Sequence, residues 1–189
     1  MRLTPTAIVY GLVALVTIAW LLDRWMKGIP IQGDAVLFGL PGILWAMAAV
    51  MEVLSEEIQH PIILPIALFE IWLLSVGLMS ELSLTGFGRY MPIRLPPSFY
   101  AYYAILIIGA CTAYWSGVTS PSSKIKASTK LALGIPLVLQ AIQIFSLETY
   151  HTLRGWSPSL KALTIAGLLS AIAIWLIITA KRLLSKSKK

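Results

Sequence analysis

The sequence predicts an all-α integral membrane protein, a polytopic bundle of about six transmembrane helices that forms a single domain over residues 1–189. Hydrophobic residues make up 58% of the chain, charged residues make up 12%, and the mean hydropathy is +0.81. Soluble domains carry about 25% charged residues and about half apolar residues. The apolar residues also fall into runs of about 20, the length a helix needs to cross the hydrocarbon of a bilayer.

Each predicted span is separated from the next by residues that favour turns or helix starts. The spans are residues 7–22, 35–54, 62–80, 99–118, 131–147 and 160–180. The breaks contain Gly28 and Pro30, Pro61, Pro96 and Pro97, Pro121, and Gly155. The fifth span is the least regular, because Pro136, Gln140 and Gln143 interrupt it. Ser157 followed by Pro158 fits a capping residue before the last helix.

The basic residues predict the orientation of the chain. With an even number of spans both termini lie on one side, and nine of the 15 lysines and arginines fall on that side, many of them in the tail from Lys181 to Lys189. Positive residues collect on the cytoplasmic side, so we expect both termini in the cytoplasm of a prokaryotic cell, with the chain in its plasma membrane. The net charge of +7 therefore indicates anionic lipid headgroups as partners and not nucleic acid.

Glu70 is the most informative polar residue, because it lies inside the predicted third span. A carboxylate at such a depth costs about 2.5–3.5 kcal/mol even on a lenient insertion scale, so it usually faces protein or water and often has a function. Glu52 lies near the end of the second span, and the short connection between the two spans predicts that Glu52 and Glu70 face each other. Such a pair can share a proton or bind a cation. The alternative is that Glu52 is solvated and that Glu70 is protonated or bonded to a neighbouring helix.

A second polar cluster is predicted on the outer side of the membrane. It consists of Arg89, Arg94, Glu148, His151 and Arg154, with Gln140 and Gln143 leading inwards from it. Amides deep in a span must find hydrogen-bond partners. The cluster could receive an anionic or quinone-like headgroup, or could consist of ordinary interfacial ion pairs.

Recognised catalytic and cofactor motifs are absent from the sequence. It contains no nucleophile elbow, phosphate loop, HExxH or dinucleotide fingerprint. Glu148 and His151 have the ExxH spacing found in di-metal bundles, but the chain has only two histidines. We therefore expect no metal or cofactor bound by this chain alone, with contact to a quinone or a lipid left open.

Three functions are compatible with these observations. The first is a non-catalytic subunit of a larger membrane complex, with respiratory electron transport as one process. The second is a small-solute transporter or substrate-binding membrane component that uses Glu70. The third is an intramembrane lipid-modifying enzyme that uses Glu148, His151 and Arg154. The layout of six spans in a short chain resembles the substrate-binding component of energy-coupling vitamin importers, which would imply solute binding, although Ala14 and Ala19 depart from the small-residue spacing of its first helix.

Overall fold

The computed structural model describes residues 4–28, 39–54, 60–81 and 97–186, and within them it contains six helices and no strand. In chain order they are α1 (Pro5–Met26), α2 (Leu40–Leu54), α3 (His60–Glu81), α4 (Pro97–Thr119), α5 (Ser123–Leu153) and α6 (Leu160–Lys186). The prediction of an all-α bundle of about six helices is confirmed.

Four of the helices, α1, α4, α5 and α6, are long and apolar enough to cross a membrane. The second helix has 15 residues, and residues 35–38 of the second predicted span lie outside the described residues. The third helix has 22 residues, and Ile63–Trp72 is an apolar stretch among its described side chains. The cytoplasmic position of the termini remains a prediction.

The chain divides into two compact units, and the division falls within α3, between Ile71 and Trp72. The expectation of one domain over the whole chain remains a prediction. The first unit comprises Met1–Ile71 and Pro97–Pro121, and in it α1 packs against α2 and α4.

The core of the first unit is built around Trp45 of α2, which is completely buried. The ring of Tyr10 lies 5.4 Å from the Trp45 ring. Gly109 of α4 lies so close that an added Cβ would come within 2.9 Å of both Trp45 and Val13. Small residues let helix backbones approach closely in a membrane protein, and Gly109 does so here.

The second unit, Trp72–Pro96 and Ser122–Lys189, is dominated by the hairpin of α5 and α6. The hydroxyl of Ser122 caps α5 by accepting a hydrogen bond from the Ile125 amide. Between the helices, Ile144 of α5 packs on Ala162 and Ala166 of α6. Ala162 and Ala166, two small residues four positions apart on α6, are therefore used for packing inside the unit.

The fifth helix is longer than its predicted span, because it starts at Ser123 and continues through Pro136 to Leu153. Proline is tolerated within membrane helices when neighbouring groups satisfy the freed backbone carbonyl. The start of α6 also differs from the sequence-based expectation. The hydroxyl of Ser159, not of Ser157, accepts the hydrogen bond from the Ala162 amide.

The turn between α5 and α6 brings the residues that follow α5 back onto its last turn. Gly155 adopts a positive φ of 81°, and the Trp156 amide donates to the carbonyl of His151. This is the Schellman arrangement, which needs a residue free to adopt a left-handed conformation. It returns Trp156 over the last turn of α5, directly beside His151.

Candidate functional site

Glu70 lies in a fully occupied hydrogen-bonding cluster in the first unit. Its side chain is completely buried. The Trp45 indole nitrogen donates to Glu70 Oε2 at 2.8 Å, and the hydroxyl of Tyr102 lies 3.0 Å from Glu70 Oε1. One residue from α2 and one from α4 therefore hold the two carboxyl oxygens, which is the alternative of bonding to neighbouring helices.

The cluster continues from Tyr102 towards α1. The Tyr102 hydroxyl lies 3.3 Å from the hydroxyl of Thr17, which donates to the carbonyl of Val13 at 2.8 Å. The ring of Tyr102 stacks on Trp20 at 5.5 Å with an angle of 10° between the planes. Four helices thus contribute to one buried polar chain.

Glu52 lies two residues before the end of α2, and Glu70 lies ten residues after the start of α3. The hydrogen bonds of the Glu70 carboxyl group go to Trp45 and Tyr102. The facing pair of Glu52 and Glu70 stays a prediction.

The second cluster lies where α5 ends and α6 begins. Glu148 is 2% exposed, and its Oε2 accepts a hydrogen bond of 2.6 Å from the backbone amide of Ser159. A negative group at a helix N-terminus is stabilised by the orphan amides and the helix dipole. The other oxygen, Oε1, is buried and has no hydrogen-bond partner in the described part of the chain.

His151 lies one turn further along the same buried face of α5 and is 7% exposed. Its ring stacks on Trp156, with 4.7 Å between the centroids and 9° between the planes, and Tyr150 packs against it edge-on at 5.7 Å. Neither Nδ1 nor Nε2 has a hydrogen-bond partner among the described residues, and both are buried. The imidazole is therefore held in place by its faces while its nitrogens stay unsatisfied.

The remaining predicted residues are placed separately. Gln143 Oε1 accepts a hydrogen bond of 2.7 Å from the indole of Trp72, and Gln140 is buried. Arg154 is exposed, with its guanidinium 4.9 Å from the centre of the Tyr150 ring. Arg89 and Arg94 lie outside the described residues. Of the outer-side cluster, the structure thus places Glu148 and His151 on one buried face and Arg154 on the surface.

Sequence reasoning missed the partners of these groups. Trp45 and Tyr102 hold Glu70, and Trp156 and Ser159 hold His151 and Glu148. A tryptophan or tyrosine in a span is usually read as apolar, although both carry a polar group that needs a partner when buried. That rule is the signal that could have linked Trp45 to the nearest buried carboxyl group.

The two clusters offer different chemistry. The Glu70 cluster has a donor or acceptor for every polar atom described above. The Glu148–His151 pair has an acceptor oxygen and two imidazole nitrogens that could still bind. Among the described residues, no group of three or more histidine, cysteine, aspartate or glutamate side chains could hold a metal ion.

We compared the chain with protein families, with curated proteins and with solved structures, and none of them matches it.

Proposed function

We propose that this protein is a solute-binding component of a prokaryotic plasma membrane and that Glu148 and His151 form its binding site. The observation that carries the proposal is the set of three buried, unpartnered polar atoms on these two side chains. Leaving a buried polar atom unsatisfied costs about 1–3 kcal/mol. Native proteins contain few such atoms, and they are often explained by a water, an ion or a functional role.

The chemistry of the three atoms defines the class of solute. An ionised carboxylate only accepts hydrogen bonds, whereas a neutral imidazole donates from one nitrogen and accepts at the other. A group that fits both must therefore donate to Glu148 Oε1 and both donate to and accept from His151. A hydroxyl group both donates and accepts, whereas a protonated amine only donates. We therefore propose a small solute that carries at least one hydroxyl group, with or without an amine.

Contacts within the fold hold both side chains of the site without any solute. Glu148 is fixed by the Ser159 amide, and His151 is fixed by the stacked Trp156 ring. Binding then costs little further ordering of these side chains, which favours affinity. The site is built by the end of one helix, a turn and the start of the next helix.

Nitrogen NMR on labelled histidine tests the proposal directly, because the chain has only two histidines, His60 and His151. A His60→Asn variant assigns the two sets of signals. Ethanolamine, which carries one protonated amine and one hydroxyl, is the first probe, followed by glycerol. We expect at least one probe to shift the His151 signals in a saturable manner, and this shift should disappear in Glu148→Ala.

The matched control is Tyr150→Phe, which changes the neighbouring exposed residue and should leave the titration unchanged. A His151 signal that no probe moves would contradict the proposal. It would mean that ordinary buried water satisfies these atoms.

Assembly with other membrane subunits, in respiratory electron transport or another process, is a separate proposal. On α6, Ala162 and Ala166 are buried within the second unit, whereas Gly167 and Ala171 are exposed. Native mass determination after gentle extraction from the membrane tests it. We expect co-migration with larger subunits, and a free protomer would overturn the assembly proposal without affecting solute binding.

A further inference from the structure

The hydrogen bonds around Glu70 form a chain in which the hydrogens can be counted. The Val13 carbonyl, the Thr17 hydroxyl, the Tyr102 hydroxyl and the Glu70 carboxyl follow one another at oxygen–oxygen distances of 2.8, 3.3 and 3.0 Å. Each hydrogen bond needs one hydrogen between its two oxygens. A carbonyl oxygen brings none and a hydroxyl brings one.

The number of hydrogens available to the three contacts differs between the ionised and the protonated carboxyl group of Glu70. If Glu70 is ionised, two hydrogens must serve three contacts, and one pair of oxygens faces each other without a hydrogen. If Glu70 is protonated, it donates to Tyr102, Tyr102 donates to Thr17, and Thr17 donates to the carbonyl of Val13. In both states the Trp45 indole donates to the other carboxyl oxygen.

The surroundings of these residues offer no further hydrogen to the three contacts. Thr17, Glu70 and Tyr102 are at most 1% exposed, so bulk water does not supply the third hydrogen. Tyr102 has a further interaction with a neighbour. That interaction leaves the shortage in place, because it either brings its own hydrogen or draws on the two already present.

The charged and titratable groups on the packed helices do not neutralise an ionised Glu70. On α1, Tyr10 packs on the Trp45 ring, and Arg24 lies over Trp20 at 4.8 Å from its ring centre. On α2 the titratable residue is Glu52, which is itself acidic. No described basic side chain forms an ion pair with Glu70, and an unpaired buried carboxylate is costly.

We infer that Glu70 is a proton-binding site and holds its proton in the folded protein, with Tyr102 and Thr17 as a directional hydrogen-bonded chain behind it. Release of the proton from Glu70 would turn the Tyr102 hydroxyl hydrogen from Thr17 to the carboxylate. Thr17 would keep its bond to Val13, and the Thr17–Tyr102 contact would lose its hydrogen. This inference is independent of the solute site at Glu148 and His151, because it rests on different residues in the other unit.

Infrared difference spectroscopy of the purified protein at neutral pH tests the inference. The comparison of wild type with Glu70→Gln should show loss of the carbonyl stretch of a protonated carboxylic acid, and that band should shift in deuterated water. Asp23→Asn is the control, because Asp23 forms a surface ion pair with Lys27 at 2.6 Å and should contribute only carboxylate bands. Loss of carboxylate bands alone in Glu70→Gln would overturn the inference.

A second pair of variants tests the direction of the chain. Thr17→Val removes the acceptor of the Tyr102 hydrogen and so changes the hydrogen bond between Tyr102 and Glu70, which should shift the frequency of the acid band. Thr17→Ser keeps a hydroxyl and should leave the band at its wild-type frequency. An unshifted acid band in Thr17→Val would overturn the directional chain, and circular dichroism establishes that each variant is folded before its spectrum is compared.

Discussion

Two buried glutamates of this protein have opposite surroundings. Glu70 in the first unit has a partner for each carboxyl oxygen, and those partners come from α2 and α4. Glu148 in the second unit has a partner for one oxygen only, and the nearby His151 has none for either ring nitrogen among the described residues. Burial alone therefore does not identify a binding site. The unused hydrogen-bonding capacity of the buried group separates a site that is complete within the fold from one that can still bind.

Glu70→Ala should have the largest effect on stability. It removes the acceptor of the Trp45 indole and leaves Tyr102 without its neighbour, so we expect a loss of about 3 kcal/mol in the free energy of unfolding. Glu70→Gln keeps an oxygen for Trp45 and offers an amide to Tyr102, and should cost about 1 kcal/mol or less. Unfolding in mixed micelles, followed by circular dichroism, measures both. Equal losses in the two variants would show that the hydrogen bonds of Glu70 contribute little.

Trp45→Phe sharpens the comparison by removing one donor and keeping most of the ring. We expect a loss of about 1.5 kcal/mol, since a carboxyl oxygen is left without its N–H donor. The same unfolding assay is repeated with Tyr102→Phe and with the double variant Trp45→Phe/Tyr102→Phe. The difference between the double variant and the sum of the single variants gives the coupling free energy of Trp45 and Tyr102 through Glu70. Additive effects would argue against a connected cluster.

Glu148→Ala should cost about 1 kcal/mol, because two effects oppose each other. The Ser159 amide loses its acceptor, while the unsatisfied oxygen Oε1 disappears. Glu148→Gln is the matched variant, because its side-chain oxygen can still accept from Ser159. A loss in Glu148→Ala as large as that of Glu70→Ala would remove the distinction between the two clusters.

His151→Leu should have the smallest effect, within about 0.5 kcal/mol of wild type in the absence of solute. The change removes two buried nitrogens without partners, which stabilises the fold, and loses the stacking of the imidazole on Trp156. Thermal unfolding with and without ethanolamine measures the effect. We expect solute-dependent stabilisation in wild type only, and a strongly destabilised His151→Leu would indicate a structural histidine.

The helices were predictable from the sequence because the apolar runs and their breaks are local features. The α1 and α4 helices extend only a few residues beyond their predicted spans. The sequence also singled out Glu70, Glu148 and His151, since polar residues in such a chain are few. It could not show that Trp45 and Tyr102 hold Glu70, because those contacts join residues 25 and 32 positions away in the sequence.

The full length of the fifth helix was not predictable from the sequence. The predicted fifth span covers residues 131–147, with Pro136 as one of its interruptions, whereas α5 runs from Ser123 to Leu153 and continues through Pro136. The difference depends on how neighbouring groups support a proline within a membrane helix, which no local pattern records.

The close packing of Gly109 against Trp45 makes the hydrogen bonding of Glu70 depend on a residue that has no side chain. A methyl group at position 109 would come within 2.9 Å of the Trp45 ring, so the ring would have to tilt or α4 would have to move outwards. Either displacement changes the reach of the indole nitrogen to the carboxyl group on a third helix. The hydrogen bond from Trp45 to Glu70 therefore depends on the lack of a side chain at position 109. Gly109→Ala should disturb that hydrogen bond although residue 109 does not contact Glu70.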